Sequence, residues 1–257
     1  DNMQQSLENK PLDVIYPGVD RKQLDQLLKE TWTRPYGYEP YTQFRERTYT
    51  GRYVNVADGG FRVSKKQGVW PPSPDCYNVF VFGGSTVFGH GVSDEQTTAS
   101  FMQEELASIA KGSRDIKIYN FGRGNYYSTQ ERILFSNLLV EGFIPDMALF
   151  IDGAADFTHP DDRPAFSNHF EYLFERLNAN AAKAKPLFSF KSWLAGLPAM
   201  NIVKAVKTCF RNDKQGKHVG NQEFSLHHSD ALIIEKVLNR YMQNKKSIEA
   251  LSKAYHV

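Results

Sequence analysis

The most regular part of the chain runs from residue 77 to residue 156. Tyr77-Asn78-Val79-Phe80-Val81-Phe82 is a short, nearly continuous apolar run that ends in Gly83 and Gly84, the pattern of a strand covered on both faces. A helix follows over about 95–111, with Phe101, Leu106 and Ile109 on its apolar side. A second strand at 115–121 places Ile116 and Ile118 on one face. A second helix, about 129–142, carries Ile133, Leu134, Leu138 and Leu139 and closes at Gly142, a C-terminal cap. The third strand is Met147-Ala148-Leu149-Phe150-Ile151. Strands alternating with helices in this way predict a parallel sheet with right-handed crossovers in a three-layer α/β/α arrangement, the 77–82 strand lying between the other two. Each strand ends in a glycine-containing loop: Gly83-Gly84-Ser85, Gly122-Arg123-Gly124-Asn125, and Asp152-Gly153-Ala154-Ala155-Asp156. The three loops are expected to meet at the carboxyl edge of the sheet, where open α/β sheets handle ligands.

The flanks lack this rhythm. Residues 1–75 read as an extension that packs on the core, and residues 76–257 as the α/β domain with an insertion at about 157–229. Within the extension, 20–32 is an amphipathic helix with Leu24, Leu27 and Leu28 on one side. Tyr36, Tyr38, Tyr41, Phe44, Tyr49 and Tyr53 follow, interleaved with Arg34, Arg45, Arg47 and Arg52. They read as an extended arm whose aromatic rings pack on the domain and whose arginine stems cover apolar surface. Asp58-Gly59-Gly60 marks a turn, and Pro71, Pro72 and Pro74 mark the linker into the core. The insertion predicts a helix at about 167–183. An apolar, tryptophan-bearing stretch over 186–205 then reads as a lid or cap beside the site-forming loops. Phe188, Phe190, Trp193 and Leu194 leave a membrane-surface contact open there, with core packing the expected role. Residues 212–225 are polar, a long helix spans about 230–254, and Tyr255-His256-Val257 reads as the approach to another strand.

Composition narrows the function classes. The chain has 257 residues, 41% hydrophobic, 13% aromatic and 23% charged, with a net charge of +2. That charge gives no electrostatic footprint for nucleic acid, and no apolar run reaches the ~18–20 residues of a spanning helix. The sequence opens at Asp1, which fits an exported or periplasmic protein after loss of a leader. Cys76 and Cys209 have no metal spacing and read either as one disulfide or as two buried thiols. His218 and His227-His228 lack a carboxylate or third ligand at a diagnostic spacing. No metal and no cofactor are expected, and no oligomeric state is set.

Candidate chemistry centres on Ser85. Gly84 to Gly89 has P-loop spacing, but His90 stands where the phosphate-binding lysine belongs and Gly91 replaces the magnesium-binding hydroxyl. A nucleophile elbow needs glycine on both sides of the serine at two residues' distance; Gly83 fits and Val87 does not. Ser85 therefore reads as a nucleophile of another type or as a simple helix cap.

Phe82-Gly83-Gly84-Ser85-Thr86, Asn120-Phe121-Gly122-Arg123-Gly124-Asn125 and Gly153-Ala154-Ala155-Asp156 together resemble the three N-terminal blocks of the SGNH (GDSL-like) hydrolases. Bacterial members found with polysaccharide-modifying systems are the most similar type. The resemblance implies a flavodoxin-like fold and a serine ester hydrolase acting on O-acyl or O-acetyl groups of a carbohydrate. Ser85 would be the nucleophile and a backbone oxyanion donor, Asn125 a second backbone donor, and Ala155 the position of the family's oxyanion asparagine. This sequence departs from the pattern in three places. Asn125 replaces a glycine, Ala155 replaces the asparagine, and the family's C-terminal Asp-x-x-His block is missing. The literal match Asp156-Phe157-Thr158-His159 overlaps the third block. An incomplete, impaired chain is therefore expected. The alternatives are a non-catalytic glycan- or protein-binding module of the same fold, and a lipid esterase. His90 and His159 remain as other candidates for a base.

Overall fold

The computed structural model describes residues 12–109, 114–183 and 231–257. In order, these form α1 (Leu12–Ile15), α2 (Arg21–Trp32), β1 (Tyr36–Glu39), β2 (Gln43–Glu46), β3 (Tyr49–Thr50), β4 (Asn55–Val56), β5 (Tyr77–Gly83) and α3 (Ser85–Phe88). They continue with α4 (Thr98–Ile109), β6 (Ile116–Asn120), α5 (Ser128–Val140), β7 (Met147–Ile151), α6 (Ser167–Lys183) and α7 (Ala231–Tyr255). Single 3-10 turns at Asp94–Gln96 and Ala155–Thr158 precede α4 and follow β7. The chain divides into two compact units, Met3–Ser167 with His227–Val257, and Asn168–Leu226. In the second, the described part is the body of α6. The apolar stretch at 186–205, the polar stretch at 212–225, Cys209, His218, His227 and His228 lie outside the described residues.

The sheet of the first unit has the order β6-β5-β7, with both neighbours parallel to β5. Alternation along β5 sends its side chains to two different layers. Phe80 and Phe82 join Leu134, Phe135, Leu138 and Leu139 of α5. Val79 and Val81 join Ile118 of β6 and Ala99, Met102 and Leu106 of α4 on the opposite face. The α/β/α layering and the central place of β5 match the alternation of strands and helices in the sequence.

Helix α4 corrects one expectation. Phe101 and Ile109 are 56% and 76% exposed, and the buried positions are Ala99, Ser100 and Gln103. Gln103 explains the rotation: its side-chain amide donates to the Ile116 carbonyl and its oxygen accepts from the Ile118 N–H. A helix docked through hydrogen bonds to an edge strand does not advertise itself by apolar spacing. Gly142, with φ +88°, closes α5 as expected. The Gly142 and Phe143 N–H groups donate to Leu139 and Leu138, the paired bonds of a Schellman cap. Helix α7 packs along α5 and ends at Tyr255, where the Val257 N–H turns back to the Ser252 carbonyl. No helix among the described residues is long and apolar enough to cross a membrane.

The extension folds onto the sheet, but aromatic packing is only part of the reason. Phe44 is buried, whereas Tyr36, Tyr38 and Tyr41 are 40%, 69% and 82% exposed. Arg45, Arg47 and Arg52 are exposed as well. The expected arm of packed rings and arginine stems holds for Phe44, for Tyr36, whose ring meets Phe44 edge-on at 5.1 Å, for Tyr49 and Tyr53, which pack on a buried cluster, and for Arg34, whose guanidinium lies 4.1 Å from the Phe88 ring centre. The remaining order comes from buried charge. Arg34 makes a bidentate pair with Glu46, at 3.1 and 3.2 Å, with both side chains 1% exposed. Glu30, on α2, accepts the Arg52, Tyr53 and Val54 N–H groups and the Gln26 amide. Burial pushes its carboxyl up, but these four donors outweigh it and hold the group below the ordinary glutamate value.

Candidate functional site

The loops after β5, β6 and β7 meet. A Cβ placed on Gly84 would lie 3.3 Å from the Tyr126 carbonyl oxygen and 4.0 Å from the Ala155 methyl. A side chain at this one residue of the first loop would therefore meet both of the others, and the three loops approach one another where the chain has none. Ser85 begins α3 directly after this glycine and is half-buried. No described residue hydrogen-bonds its hydroxyl, so Ser85 is not the cap of the helix that it opens. Asn125 is exposed with φ +61°, a conformation that asparagine tolerates better than most residues. Ala155 opens the 3-10 turn after β7 and is half-buried. The backbone N–H groups of Ser85 and Asn125 reach no acceptor among the described residues.

Each loop is held by a buried polar group: Arg62 of the extension, and Arg123 and Asp156 within the second and third motifs themselves. The first is threaded by Arg62, whose side chain is completely buried. Its guanidinium donates to the Phe88, Gly89 and Val92 carbonyls and to the Asp94 carboxylate at 3.0 Å. The Arg62 backbone N–H also bonds the Asn120 carbonyl at the end of β6, so one residue of the extension ties two loops. The second loop is held by Arg123, which is buried and reaches Glu39 at 2.6 Å, the Tyr126 hydroxyl and the Phe44 carbonyl. Its own N–H donates to the Gly83 carbonyl at 2.9 Å, and the Asn120 amide donates to the Val87 carbonyl at 2.8 Å. Gly122 has to be glycine for this approach. A Cβ there would fall on the Phe88 nitrogen and 2.8 Å from the Val87 carbonyl carbon. The third loop hangs on Asp156, fully buried, which accepts the Ser128 hydroxyl at 2.5 Å and the Ser128 N–H at 3.2 Å. Arg240 of α7 approaches the same carboxylate at 3.5 Å and donates to the Asp156 and His159 carbonyls.

Neither candidate histidine is a base for Ser85. His159 stacks on Tyr127 at 4.4 Å, with its Nδ1 2.9 Å from the Arg163 carbonyl oxygen. Asp156 bonds Ser128 and Arg240 and does not reach the His159 ring, so the local Asp-x-x-His spacing is not an acid–histidine pair. His90 is half-buried rather than a surface residue. Its ring packs edge-on against Trp32 at 5.0 Å and Phe88 at 5.2 Å, and closes on Gly124 of the second loop. Burial lowers its pKa to about 4, and the Arg34 and Arg62 guanidinium groups push in the same direction. Its Nε2 is buried without a partner. This histidine is a neutral packing element. Cys76 is a free thiol, and among the described residues no cluster of His, Cys, Asp and Glu could hold a metal ion.

Sequence reading placed Ser85, Asn125 and Ala155 on three converging loops, and the contacts at Gly84 join those loops. It missed Arg62, Asp94, Glu39, Arg240 and Glu131. Arg62 is 26 residues from Phe88, and Glu39 and Arg240 are each 84 residues from their partners, Arg123 and Asp156 respectively; no periodicity signals such pairs. Charged residues ahead of the first strand, in a turn-rich segment, were the only hint. No protein-family model matches this chain, and no curated protein matches it.

Proposed function

We propose that the chain is a serine ester hydrolase domain of the SGNH type with a flavodoxin-like architecture. Its substrate would be an O-acyl or O-acetyl group on a carbohydrate, and its chemistry is impaired by a lost oxyanion donor and an unactivated serine. The observation that carries this reading is the convergence at Gly84. It brings a half-buried serine, whose hydroxyl no described residue hydrogen-bonds, beside the Tyr126 carbonyl of the second loop and the Ala155 methyl of the third. The position of α7 along α5 supports the architecture, since a crossover helix toward a further strand beside β7 would lie there.

In this reading Ser85 attacks the ester carbonyl, and the N–H groups of Ser85 and Asn125 receive the developing oxyanion. Such donors act without reorganising, and removal of one typically slows turnover by ~10²–10³. Ala155 presents a methyl where a third donor is expected. A serine hydroxyl is also a weak nucleophile until a base takes its proton, and neither described histidine at this edge of the sheet does so. Low turnover follows from both deficits. The same two features favour a second reading, a glycan-binding module that keeps the groove without the reaction.

The test uses chemical rescue. The protein, its Ala155→Asn variant and both with Ser85→Ala are incubated with acetylated oligosaccharides, with and without imidazole as an added base. Acetate release that rises with imidazole, rises again in Ala155→Asn and vanishes with Ser85→Ala supports the esterase. Release that does not depend on Ser85 refutes it. Saturable binding of the oligosaccharide without release in any variant assigns the module reading.

A further inference from the structure

Glu131 lies in the first turn of α5 and is 1% exposed. Both of its carboxyl oxygens are buried with no donor reaching them. The group that acts on them is another carboxyl, Asp152, at the end of β7. Two carboxyl groups can hydrogen-bond only if one of them carries a proton. The surroundings offer no cation to substitute for it. Asp156 faces the pair from the 3-10 turn and adds a third carboxyl. From α7, Tyr241 donates to Asp152 Oδ1 at 3.0 Å. The guanidinium of Arg240 is engaged elsewhere, by Asp156 at 3.5 Å, Asp162 at 3.6 Å and two carbonyls. On α5 itself Arg132 is turned to Asn244 at 2.9 Å. One guanidinium thus serves the whole group of carboxyls.

We propose that Glu131 and Asp152 share one proton, and that this bridge positions the loop carrying Ala155. Asp152 is the residue immediately before Gly153-Ala154-Ala155, and the Tyr241 ring lies beside Gly153, 3.9 Å from where a Cβ would stand. The bridge pins the start of the loop between α5 and α7, as Asp156 pins its end through Ser128. Burial is the first cause that raises the Glu131 carboxyl above its ordinary value of 4.5, and the charge of Asp152 adds to it. The bridge belongs to the fold and stands whether or not Ser85 performs acyl transfer.

A folded-state value above the unfolded one means that the folded chain binds the extra proton. Stability from this site is complete below the ordinary value of 4.5 and is lost as pH rises toward the folded value. Within that window each pH unit lowers the folding equilibrium constant about tenfold. Glu131→Gln carries a permanent amide donor toward Asp152 and does not titrate.

The experiment uses the full chain, labelled with ¹³C at the glutamate carboxyl carbon. At neutral pH the expected spectrum has one glutamate resonance at the position of a protonated acid, absent in Glu131→Gln. Hydrogen exchange of the amides between Asp152 and Thr158 is expected to accelerate with rising pH, beyond its intrinsic increase, in the wild type and not in the variant. A wild-type spectrum with every glutamate ionised at neutral pH overturns the proposal, and so does an unchanged exchange profile in Glu131→Gln. If that variant does not fold, the wild-type carboxyl titration decides: a glutamate that keeps its proton at neutral pH upholds the bridge, and the lack of one overturns it.

Discussion

Acid should open the packing around His90, and the size of the effect follows from its neighbours. The imidazole is enclosed by Trp32, Phe88 and Gly124 and faces two cations, Arg34 and Arg62. Its pKa falls from 6.5 to about 4. In the unfolded chain the ring takes up a proton near its ordinary value, while the folded chain resists until the lower one. Stability tied to this residue is therefore present above the ordinary value and is lost as pH falls through the window. At 1.36 kcal/mol per unit the whole shift corresponds to about 3 kcal/mol, most of which, about 2 kcal/mol, falls between pH 7 and about pH 4.5. The measurement is urea unfolding of the wild type and of His90→Gln at several pH values across that range. The variant loses the ring contacts at every pH, so only the difference in slope is informative. Carboxylates titrate in both proteins and cancel. The expected result is a wild-type loss exceeding that of the variant by about 2 kcal/mol. A difference below about 0.5 kcal/mol, or an imidazole that titrates near 6.5 in the folded state, refutes the argument.

Two substitutions test what holds the loops. Glu46→Gln leaves the buried Arg34 guanidinium without its counter-charge and should destabilise by about 3–5 kcal/mol in denaturant unfolding, whereas the exposed pair Arg21–Asp25 should change stability by less than about 1 kcal/mol when broken. Gly122→Ala drives a methyl into the Phe88 nitrogen and the Val87 carbonyl carbon and should cost about 1–3 kcal/mol. Glycine exchange on the exposed face at Gly142, where nothing lies within 4 Å of the added Cβ, should show only the strain of its positive φ.

The parts of the fold that were legible are the parts made by local pattern. The β5 run, the Met147–Ile151 strand, α6 over Ser167–Lys183 and the Gly142 cap follow from apolar runs, helical spacing and the need for a residue that accepts positive φ. The approach of the three loops at Gly84 followed from topology, because parallel strands place their carboxyl ends at one edge. Helix α4 was misread on Phe101 and Ile109, since its docking rests on the Gln103 amide and not on an apolar stripe. The role of the extension was misread for a related reason. Tyr38 and Tyr41 looked like packing residues and are exposed, while Arg62, unremarked in the sequence, is the completely buried side chain that threads the first loop. An arginine's burial depends on the carbonyls and carboxylates that the tertiary fold brings to it, and none of these is near it in sequence.

Buried charge is also what links the site to its medium. The first and second loops close on each other across His90, whose ring lies between Phe88 and Gly124 and must stay neutral to do so. The third loop is pinned at Asp152 by a proton on Glu131, which must stay in place. The two conditions have opposite signs: acid threatens the first contact and base the second. His90 interacts with Arg34 and Arg62, and Glu131 with Asp152 and Asp156, so the two groups share no partner. Their effects should then combine nearly independently. All three loops are ordered together only in the interval between the two limits. Ser85 sits on the first loop and Ala155 on the third, so any chemistry or binding that needs both is confined to that interval. The bound on each side is set by a residue that touches neither the serine hydroxyl nor a ligand at that point.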